Sequence, residues 1–282
     1  MALTKPRVVT MVLITTLIGY YLGAPAAPLD CLRLGATLLG TGLAAAGTLA
    51  LNQLMERETD ARMQRTRKRP LPDRRLAPID ALVFGASLAV GGAVYLAVAV
   101  DPIAALVVAA TTAVYLFAYT PLKSRTPLCS LAGAVAGALP PVAGWVAARG
   151  DFALGAWVLF AIMFLWQIPH SLAIAHLHRD DYAQAGIRLL PVVEPGGASA
   201  ARQLLGNSLA LLAVALMPTL IGMAGAVYFF VALALGVGLL AVAVRLARSA
   251  AVADARWLLL ATLIYLPLLL GTMAADKLPI SP

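Results

Sequence analysis

The sequence predicts an all-α membrane protein, a polytopic bundle of nine transmembrane helices whose loops on one side cap a central cavity. Only 12% of the 282 residues are charged and 61% are hydrophobic, whereas a soluble domain has about a quarter of its residues charged. Nine apolar stretches reach the roughly 17 to 25 residues that a membrane crossing requires. They fall near 8–28, 36–55, 80–100, 103–120, 128–148, 153–177, 204–223, 226–244 and 257–275.

The distribution of basic residues predicts how these helices are oriented. Loops rich in Lys and Arg stay in the cytoplasm, and with the N-terminus inside only Arg33, Arg149 and Lys277 fall on the outer side. We therefore expect an uncleaved, multi-pass protein of a bacterial inner membrane, with a cytoplasmic N-terminus. Its net charge of +8 follows from this topology, so the lipid bilayer and not a nucleic acid is the expected partner. No linker divides the chain, and residues 1–282 are expected to form one domain.

The most informative stretch, NQLMERETD at 52–60, lies where the second predicted helix ends. Asn52, Glu56 and Asp60 are spaced by four, which on a helix places them within about 80 degrees of one another. Polar residues in a membrane segment usually face a cavity. Hard oxygen ligands of this kind suit Mg²⁺, which commonly bridges carboxylates to substrate phosphates. We expect a metal site here, open to the cytoplasm.

A run of basic residues follows the three oxygen-bearing residues. Arginine binds phosphate oxygens through a planar fork of donors, so Arg62, Arg65 and Arg69 are candidate ligands of a diphosphate. A solvated cytoplasmic loop is the alternative, because the bias towards positive charge inside predicts such runs as well.

Three phrases together resemble a known family. NQLMERETDARMQRTRKRPLP at 52–72 is similar to the N-x-x-x-D/E-x-x-x-D motif of the intramembrane prenyltransferases typified by the 4-hydroxybenzoate polyprenyltransferases. AYTPLKSRTPLCSLAGAVAGALPPVAGW at 118–145 and FLWQIPHSLAIAHLHRDDYAQAGIRLLPV at 164–192 resemble the haem-farnesylating branch of that family. The resemblance implies a Mg²⁺-dependent enzyme that transfers a farnesyl group from farnesyl diphosphate to a vinyl group of haem b. Water addition completes the product, haem o, and diphosphate is released.

The resemblance also implies roles for residues in the loop after the fourth predicted helix. Lys123 matches the family's diphosphate-binding lysine, and Arg125 is expected to contact either the diphosphate or a haem propionate. Tyr115 and Tyr119 are candidates for stabilising the allylic cation through their ring faces, with anchoring at the membrane interface as the alternative. We group Asn52, Glu56, Asp60, Tyr119 and Lys123 as the expected catalytic set.

The acceptor side is expected around the end of the sixth predicted helix. All three histidines of the chain lie there, and imidazole is a common ligand of haem iron. His170, His176, His178 and Trp166 are therefore candidate haem contacts. Many relatives have aspartates spaced by four in this loop, but here those two positions are His178 and Tyr182. Asp180 and Asp181 are the acids present instead, so they are candidate metal ligands, and whether one or two Mg²⁺ bind stays open.

Two other functions are compatible with these residues. One is a prenyltransferase that acts on a quinone precursor or on chlorophyllide. The other is a transporter of an anionic metabolite, which would place polar residues at the bilayer midplane, whereas the polar clusters here gather on the cytoplasmic side. Docking with a downstream haem-modifying enzyme is a further expectation that the sequence leaves open, as are the oligomeric state, the prenyl chain-length tolerance and the haem entry route.

Overall fold

A computed structural model describes residues 3–25, 28–194 and 196–279. Within these ranges the protein is helical without a named strand, and nine helices are long and apolar enough to cross a membrane, as predicted. They are α1 (Pro6–Gly23), α2 (Cys31–Met55), α3 (Pro78–Ala99), α4 (Pro102–Leu122), α5 (Cys129–Arg149), α6 (Leu154–Leu177), α7 (Ala198–Leu220), α8 (Ala226–Ser249) and α9 (Val252–Ala275). Their bounds differ from the predicted ones by up to six residues, most at the beginnings of α2, α7 and α9 and at the ends of α1 and α8.

Local sequence signals explain several helix ends. Pro6, Pro78 and Pro102 each stand in the first turn of a helix, where the missing amide hydrogen costs nothing. Asp101 precedes α4, and its carboxylate accepts hydrogen bonds from two amides of the first turn. Gly150 ends α5 with a φ of 81°, a left-handed conformation that glycine adopts without a steric penalty. Short polar signals therefore set where the apolar segments begin and end.

The helices form two groups that meet at the centre of the molecule. In the first group α1 packs on α2 and α5, α2 on α3, and α4 on α3 and α5. In the second group α6 packs on α7 and α9, while α8 lies against both α7 and α9. Helices α5 and α6 join the groups and are the most buried of the nine.

Small residues allow the closest of these helix contacts. A Cβ atom added to Gly144 of α5 would lie 2.0 Å from the carbonyl oxygen of Thr16 in α1, and one added to Gly19 would lie equally close to Pro141. Since lipid offers helices little hydrophobic reason to associate, membrane helices depend on such backbone approach. The α1–α5 contact is therefore sterically specific.

The loops between the nine helices lie alternately on two opposite faces of the bundle. We call the site face the one where α1 begins and where α2, α4 and α6 end, and the far face the opposite one. On the site face, the loops after α2 and α6 pack together through Met63, Ala185 and Ile187. On the far face, Lys277 donates hydrogen bonds to the carbonyl oxygens of Tyr21 and Ala24 at 2.6 and 2.7 Å, which ties the end of α9 to the end of α1.

Candidate active site

The motif residues lie at the end of α2, where the helix differs from the predicted one. Instead of one continuous helix, α2 ends at Met55 and a short helix, Arg57–Arg62, follows. Glu56 caps both pieces, with its amide bonded to the carbonyl of Asn52 and its own carbonyl accepting from the amide of Asp60. These two bonds preserve the helical link between residues four apart, so Asn52, Glu56 and Asp60 still follow one another at one-turn intervals.

Asp60 is the most buried acid of the motif. Its side chain is 1% exposed, and Oδ2 lies 2.6 Å from Nη1 of Arg69, whose side chain is 27% exposed. The carbonyl oxygen of Asp60 accepts a hydrogen bond from the hydroxyl of Thr66, itself buried. The basic loop therefore folds back onto the motif. Arg69, which the sequence predicted to bind the diphosphate, pairs with Asp60 in this structure.

Glu56 contacts the lysine that follows α4. Nζ of Lys123 lies 2.6 Å from Oε1 of Glu56 and 4.3 Å from the centre of the Tyr119 ring. Burial alone would lower the pKa of Lys123, but Tyr119 and Glu56 outweigh burial and hold the pKa well above its usual value. Lys123 is consequently a permanent cation at the mouth of the bundle.

Asn52 contacts a lysine that the sequence prediction assigned only to membrane topology. Nζ of Lys5 donates to Oδ1 of Asn52 at 2.9 Å, and Nδ2 of Asn52 donates to the hydroxyl of Thr120 at 3.1 Å. The Asn52 side chain is fully buried. Burial, followed by repulsion from Arg69 and Lys123, lowers the pKa of Lys5 to about 8, so these three cations share one small region.

The backbone at Lys5 is unusual. Its φ is 47°, a left-handed conformation that costs a non-glycine residue roughly 1 kcal/mol or more, and the next residue, Pro6, further restricts it. The preceding segment is also fixed, because Nε2 of Gln53 donates to the carbonyl oxygen of Leu3 at 2.8 Å and Leu3 itself is buried. Lys5 is held beside Asn52 by its surroundings.

The end of α4 places two aromatic rings in the same region. Residues Val114–Tyr119 form a π-helix, in which the amide of Thr120 bonds to the carbonyl of Tyr115. Pro121 explains the widened turn, since it cannot donate to the carbonyl four residues before it. The rings of Tyr115 and Tyr119 lie 5.1 Å apart between centres, and Nζ of Lys123 lies over the Tyr119 ring, 4.3 Å from its centre.

The other residues predicted to bind the diphosphate lie farther out. Arg62 and Arg125 are exposed, and Arg65 reaches the hydroxyl of Tyr182 at 3.4 Å. Tyr182 belongs to the loop after α6, so Arg65 links the two loops of the site face. Of the predicted arginines, the structure brings Arg69 into the buried cluster, while the roles of the other three stay predictions.

The second acidic pair lies in the short helix Arg179–Gln184. Oδ1 of Asp181 accepts from the amide of Gln64 at 3.4 Å, and Asp180 is exposed. Within residues 3–25, 28–194 and 196–279, no three His, Cys, Asp or Glu side chains converge into a metal site. The oxygen donors of Asn52, Glu56 and Asp60 nevertheless suit Mg²⁺ chemically, and each is already paired with a cation.

Two predicted haem contacts form a compact unit inside the bundle. The rings of Trp166 and His170 stack with their centres 4.7 Å apart. Both bind Thr262 of α9: Nε1 of Trp166 donates to its carbonyl oxygen at 2.9 Å, and Nδ1 of His170 lies 3.0 Å from its hydroxyl. This unit joins α6 to α9 about two to three helical turns from the site face.

The other two histidines lie at the site face. Nε2 of His176 lies 2.9 Å from the carbonyl oxygen of Ala250, in the connection between α8 and α9. His178 packs edge-on against Tyr182, and burial together with the nearby Arg65 lowers its pKa. His176 therefore has a structural partner, whereas His178 belongs to the loops that cover the acidic cluster.

The sequence profile described as the UbiA prenyltransferase family matches residues 12–274. The match spans most of the chain. The protein belongs to the UbiA prenyltransferase family. The resemblance predicted from the motif and the two later phrases is thereby confirmed.

Three bacterial proteins similar to this chain share one name. A protein of Solibacter usitatus named "Protoheme IX farnesyltransferase" is 47% identical over 98% of this chain and 97% of its own length. Proteins with the same name from Koribacter versatilis and Opitutus terrae are 45% and 39% identical over 98% of this chain, covering 92% and 93% of their own lengths.

Solved structures of UbiA-type proteins share the fold. One described as digeranylgeranylglyceryl phosphate synthase superposes with a TM-score of 0.81 at 16% identity, covering 98% of this chain and 96% of the other. A UbiA homolog from Archaeoglobus fulgidus bound to DMAPP and Mg²⁺ gives 0.67 at 16% identity, covering 98% of each chain. At these identities the likeness concerns the nine-helix architecture alone, and it confirms the predicted fold class.

For this UbiA chain, sequence reasoning found the motif, Lys123 and the tyrosines but missed Lys5 and Thr120 as members of the buried cluster. A signal for Lys5 was present, because it directly precedes the first turn of α1 on the same membrane face as the end of α2. Thr120 lies next to the predicted Tyr119. Neither residue has an acidic neighbour in the sequence that would have drawn attention to it.

Proposed function

We propose that the protein transfers a farnesyl group from farnesyl diphosphate to a vinyl group of haem b, with addition of water, to give haem o and diphosphate. The observation that carries the proposal is the buried cluster of three oxygen donors and three cations at the site face. Membership of the UbiA family supports prenyl transfer, and the name shared by relatives that are 39–47% identical supports haem as the acceptor.

The cluster suits a diphosphate and a divalent cation bound together. We propose that Asn52, Glu56 and Asp60 hold Mg²⁺, and that Asp180 and Asp181 are candidates for a second metal contact on the facing loop. When bound, Mg²⁺ supplies positive charge that stabilises the leaving diphosphate. Fixed cations stabilise developing charge without solvent rearrangement, and we assign that role to the three cations of the cluster and, nearer the surface, to Arg62, Arg65 and Arg125.

The bond that breaks joins C1 of the farnesyl chain to the bridging oxygen of the diphosphate, which leaves with the electron pair. The resulting allylic cation would lie beside Tyr115 and Tyr119, whose ring faces stabilise positive charge. The terminal carbon of the haem vinyl group then forms the new carbon–carbon bond. Water adds to the cation left on the carbon next to the porphyrin and loses one proton, so no covalent enzyme intermediate is needed.

The acceptor side is assigned to α6. We propose that haem b contacts His170 and Trp166, because these two rings are stacked and held in place by α9, and His170 is half-buried beside the buried Trp166. His178 follows this unit along the chain, directly after α6, where it packs against Tyr182 of the loop at the site face, and it is a further candidate contact. His176 is the weakest of the predicted haem contacts, since its imidazole already binds the carbonyl of Ala250.

The cellular setting follows the same reasoning. The nine helices make the protein a multi-pass membrane protein, and we propose that residues 1–282 act as one domain in a bacterial inner membrane. The excess of basic residues on the site face supports a cytoplasmic orientation for the active-site loops. Haem o is the chemical input of a haem-modifying oxidation, so docking of such an enzyme nearby is part of the proposal.

One experiment tests the proposed reaction directly. Detergent-purified protein is incubated with haem b, farnesyl diphosphate and Mg²⁺, and the porphyrin products are separated and identified by mass spectrometry. A product that carries one farnesyl group and one added water supports the proposal. Unchanged haem together with alkylation of 4-hydroxybenzoate, supplied in a parallel reaction, would assign the chain to a different acceptor.

A further inference from the structure

The cations of the site are paired with the same atoms that a metal would need. Each oxygen of the motif that points into the cluster has its own cation at hydrogen-bond distance. The pairs are Asn52 Oδ1 with Lys5 at 2.9 Å, Glu56 Oε1 with Lys123 at 2.6 Å, and Asp60 Oδ2 with Arg69 at 2.6 Å. In this structure, the three oxygen atoms that would bind a metal ion are therefore occupied by positively charged side chains of the protein itself.

A divalent cation that entered alone would meet strong opposition in this arrangement. It would displace each cation from its oxygen and would leave three positive side chains next to two further positive charges. Asn52 and Asp60 are almost fully buried and Lys123 is 18% exposed, so water screens an uncompensated charge there only in part, and leaving one is unfavourable.

A diphosphate changes the balance because it supplies new partners. Its oxygens can accept the hydrogen bonds that the three cations donate to the motif, and charge-assisted bonds to phosphate are at least as strong as those to carboxylate or amide oxygens. The motif oxygens are then free for the metal. The diphosphate thus draws the cations away from the oxygen atoms that the metal needs, and the metal replaces those cations as the partner of the motif oxygens.

Lys5 is the informative member of the three. It lies before α1, 47 residues from Asn52, and reaches the site because the chain holds it in a left-handed conformation beside α2. The neighbouring bond between Gln53 and the Leu3 carbonyl fixes the same segment. A lysine whose only task was to mark the cytoplasmic side would remain in solvent, as the exposed Arg7 does.

We propose that Lys5, Lys123 and Arg69 exchange partners, from the three motif oxygens to the diphosphate, so that the divalent cation and the diphosphate each bind more tightly in the presence of the other. The inference rests on the proposed use of a diphosphate substrate and adds Lys5 to the residues that bind it. It treats the N-terminal segment as part of the active site and not only as the start of the first membrane helix.

The test measures metal binding and needs no haem and no turnover. Purified full-length protein is dialysed against Mn²⁺, which also accepts oxygen ligands and is counted by its paramagnetic resonance signal, with or without saturating inorganic diphosphate. The Asp60→Asn variant supplies the background. We expect the Kd of the wild-type protein for Mn²⁺ to be at least about tenfold lower when diphosphate is present. Tenfold is the lower limit, because it corresponds to the exchange of a single charge-assisted hydrogen bond.

Two variants locate the coupling. Lys5→Met should bind Mn²⁺ alone about tenfold more tightly than wild type and inorganic diphosphate about tenfold more weakly, so that the coupling between the two ligands falls. Arg7→Met removes an exposed cation two residues away and should behave as wild type. Melting temperature and size-exclusion profile establish that both variants are folded.

Two outcomes would overturn the inference. One is wild-type protein that retains Mn²⁺ equally well with and without diphosphate, a comparison that needs no variant. The other is a folded Lys5→Met protein with unchanged coupling. Failure of haem o formation with the coupling intact would instead reject the proposed acceptor, so the two proposals can fail separately.

Discussion

Replacing Asp60 with asparagine tests the proposed reaction at its most buried charge. The substitution preserves the size of the side chain and removes one negative charge. It leaves the backbone bond from Thr66 to the Asp60 carbonyl in place. What it removes is the 2.6 Å ion pair with Arg69 and an anionic oxygen ligand for Mg²⁺.

The expected effect on stability is smaller than the expected effect on catalysis. Breaking a fully buried ion pair costs about 3–5 kcal/mol, but Arg69 is 27% exposed, so solvent screens the orphaned guanidinium. An asparagine oxygen can also still accept its hydrogen bond, which leaves a cost of about 1–2 kcal/mol. The loss of a ligand that acts on the leaving group should reduce kcat/KM by about a hundredfold or more, equivalent to about 2.7 kcal/mol.

The assay is haem o formation in detergent, quantified by chromatography, with the melting temperature measured on the same preparation. Glu58→Gln is the matched control, since Glu58 is a neighbouring acid whose side chain is 79% exposed and pairs with Arg57 only at 3.6 Å. The control should retain wild-type activity. Near-wild-type turnover by Asp60→Asn, or an equal loss in Glu58→Gln, would refute the role assigned to Asp60.

Three further predictions concern other parts of the molecule. His170→Ala should weaken haem binding, followed by optical titration, more than farnesyl diphosphate binding, and equal losses would argue against an acceptor-side histidine. Gly144→Val should lower the melting temperature, because its Cβ atom would lie 2.0 Å from the backbone oxygen of Thr16, whereas Gly91→Ala, which has no neighbour within 4 Å, should not. Lys123→Met should raise KM for farnesyl diphosphate about tenfold or more through loss of a charge-assisted bond; an unchanged KM would contradict its assignment.

The fold could be predicted from sequence because the membrane imposes a simple rule. A crossing requires about twenty apolar residues with every backbone group bonded internally, so hydropathy alone locates the nine helices. The rule does not fix the ends. Cys31 begins α2 five residues before the apolar stretch that was predicted, because Asp30 caps the helix by accepting from the amide of Arg33. Side-chain capping bonds of this kind are invisible to an average over hydrophobicity.

The part of the site formed by residues close together in the sequence could be predicted. The part formed by residues that are distant in the sequence could not be predicted. The spacing of Asn52, Glu56 and Asp60 is a property of nine consecutive residues. The contact of Lys5 with Asn52 spans 47 residues and that of His176 with Ala250 spans 74. Pairings of that length depend on which helices are neighbours, and no local pattern in this sequence encodes the neighbours of α1 or of α9.

The hydrogen bonds between Lys277 and the end of α1 help to decide where a label can be attached to the protein. Because Leu278 is exposed and follows Lys277 on the far face, a fluorophore attached at Leu278 would lie across the membrane from the motif residues. A fluorophore attached at Lys5 would instead break the contact of Lys5 with Asn52, and one attached at Leu3 would disturb the bond from Gln53. Fluorescent labels for this protein should therefore be placed beside Lys277 and not beside Lys5.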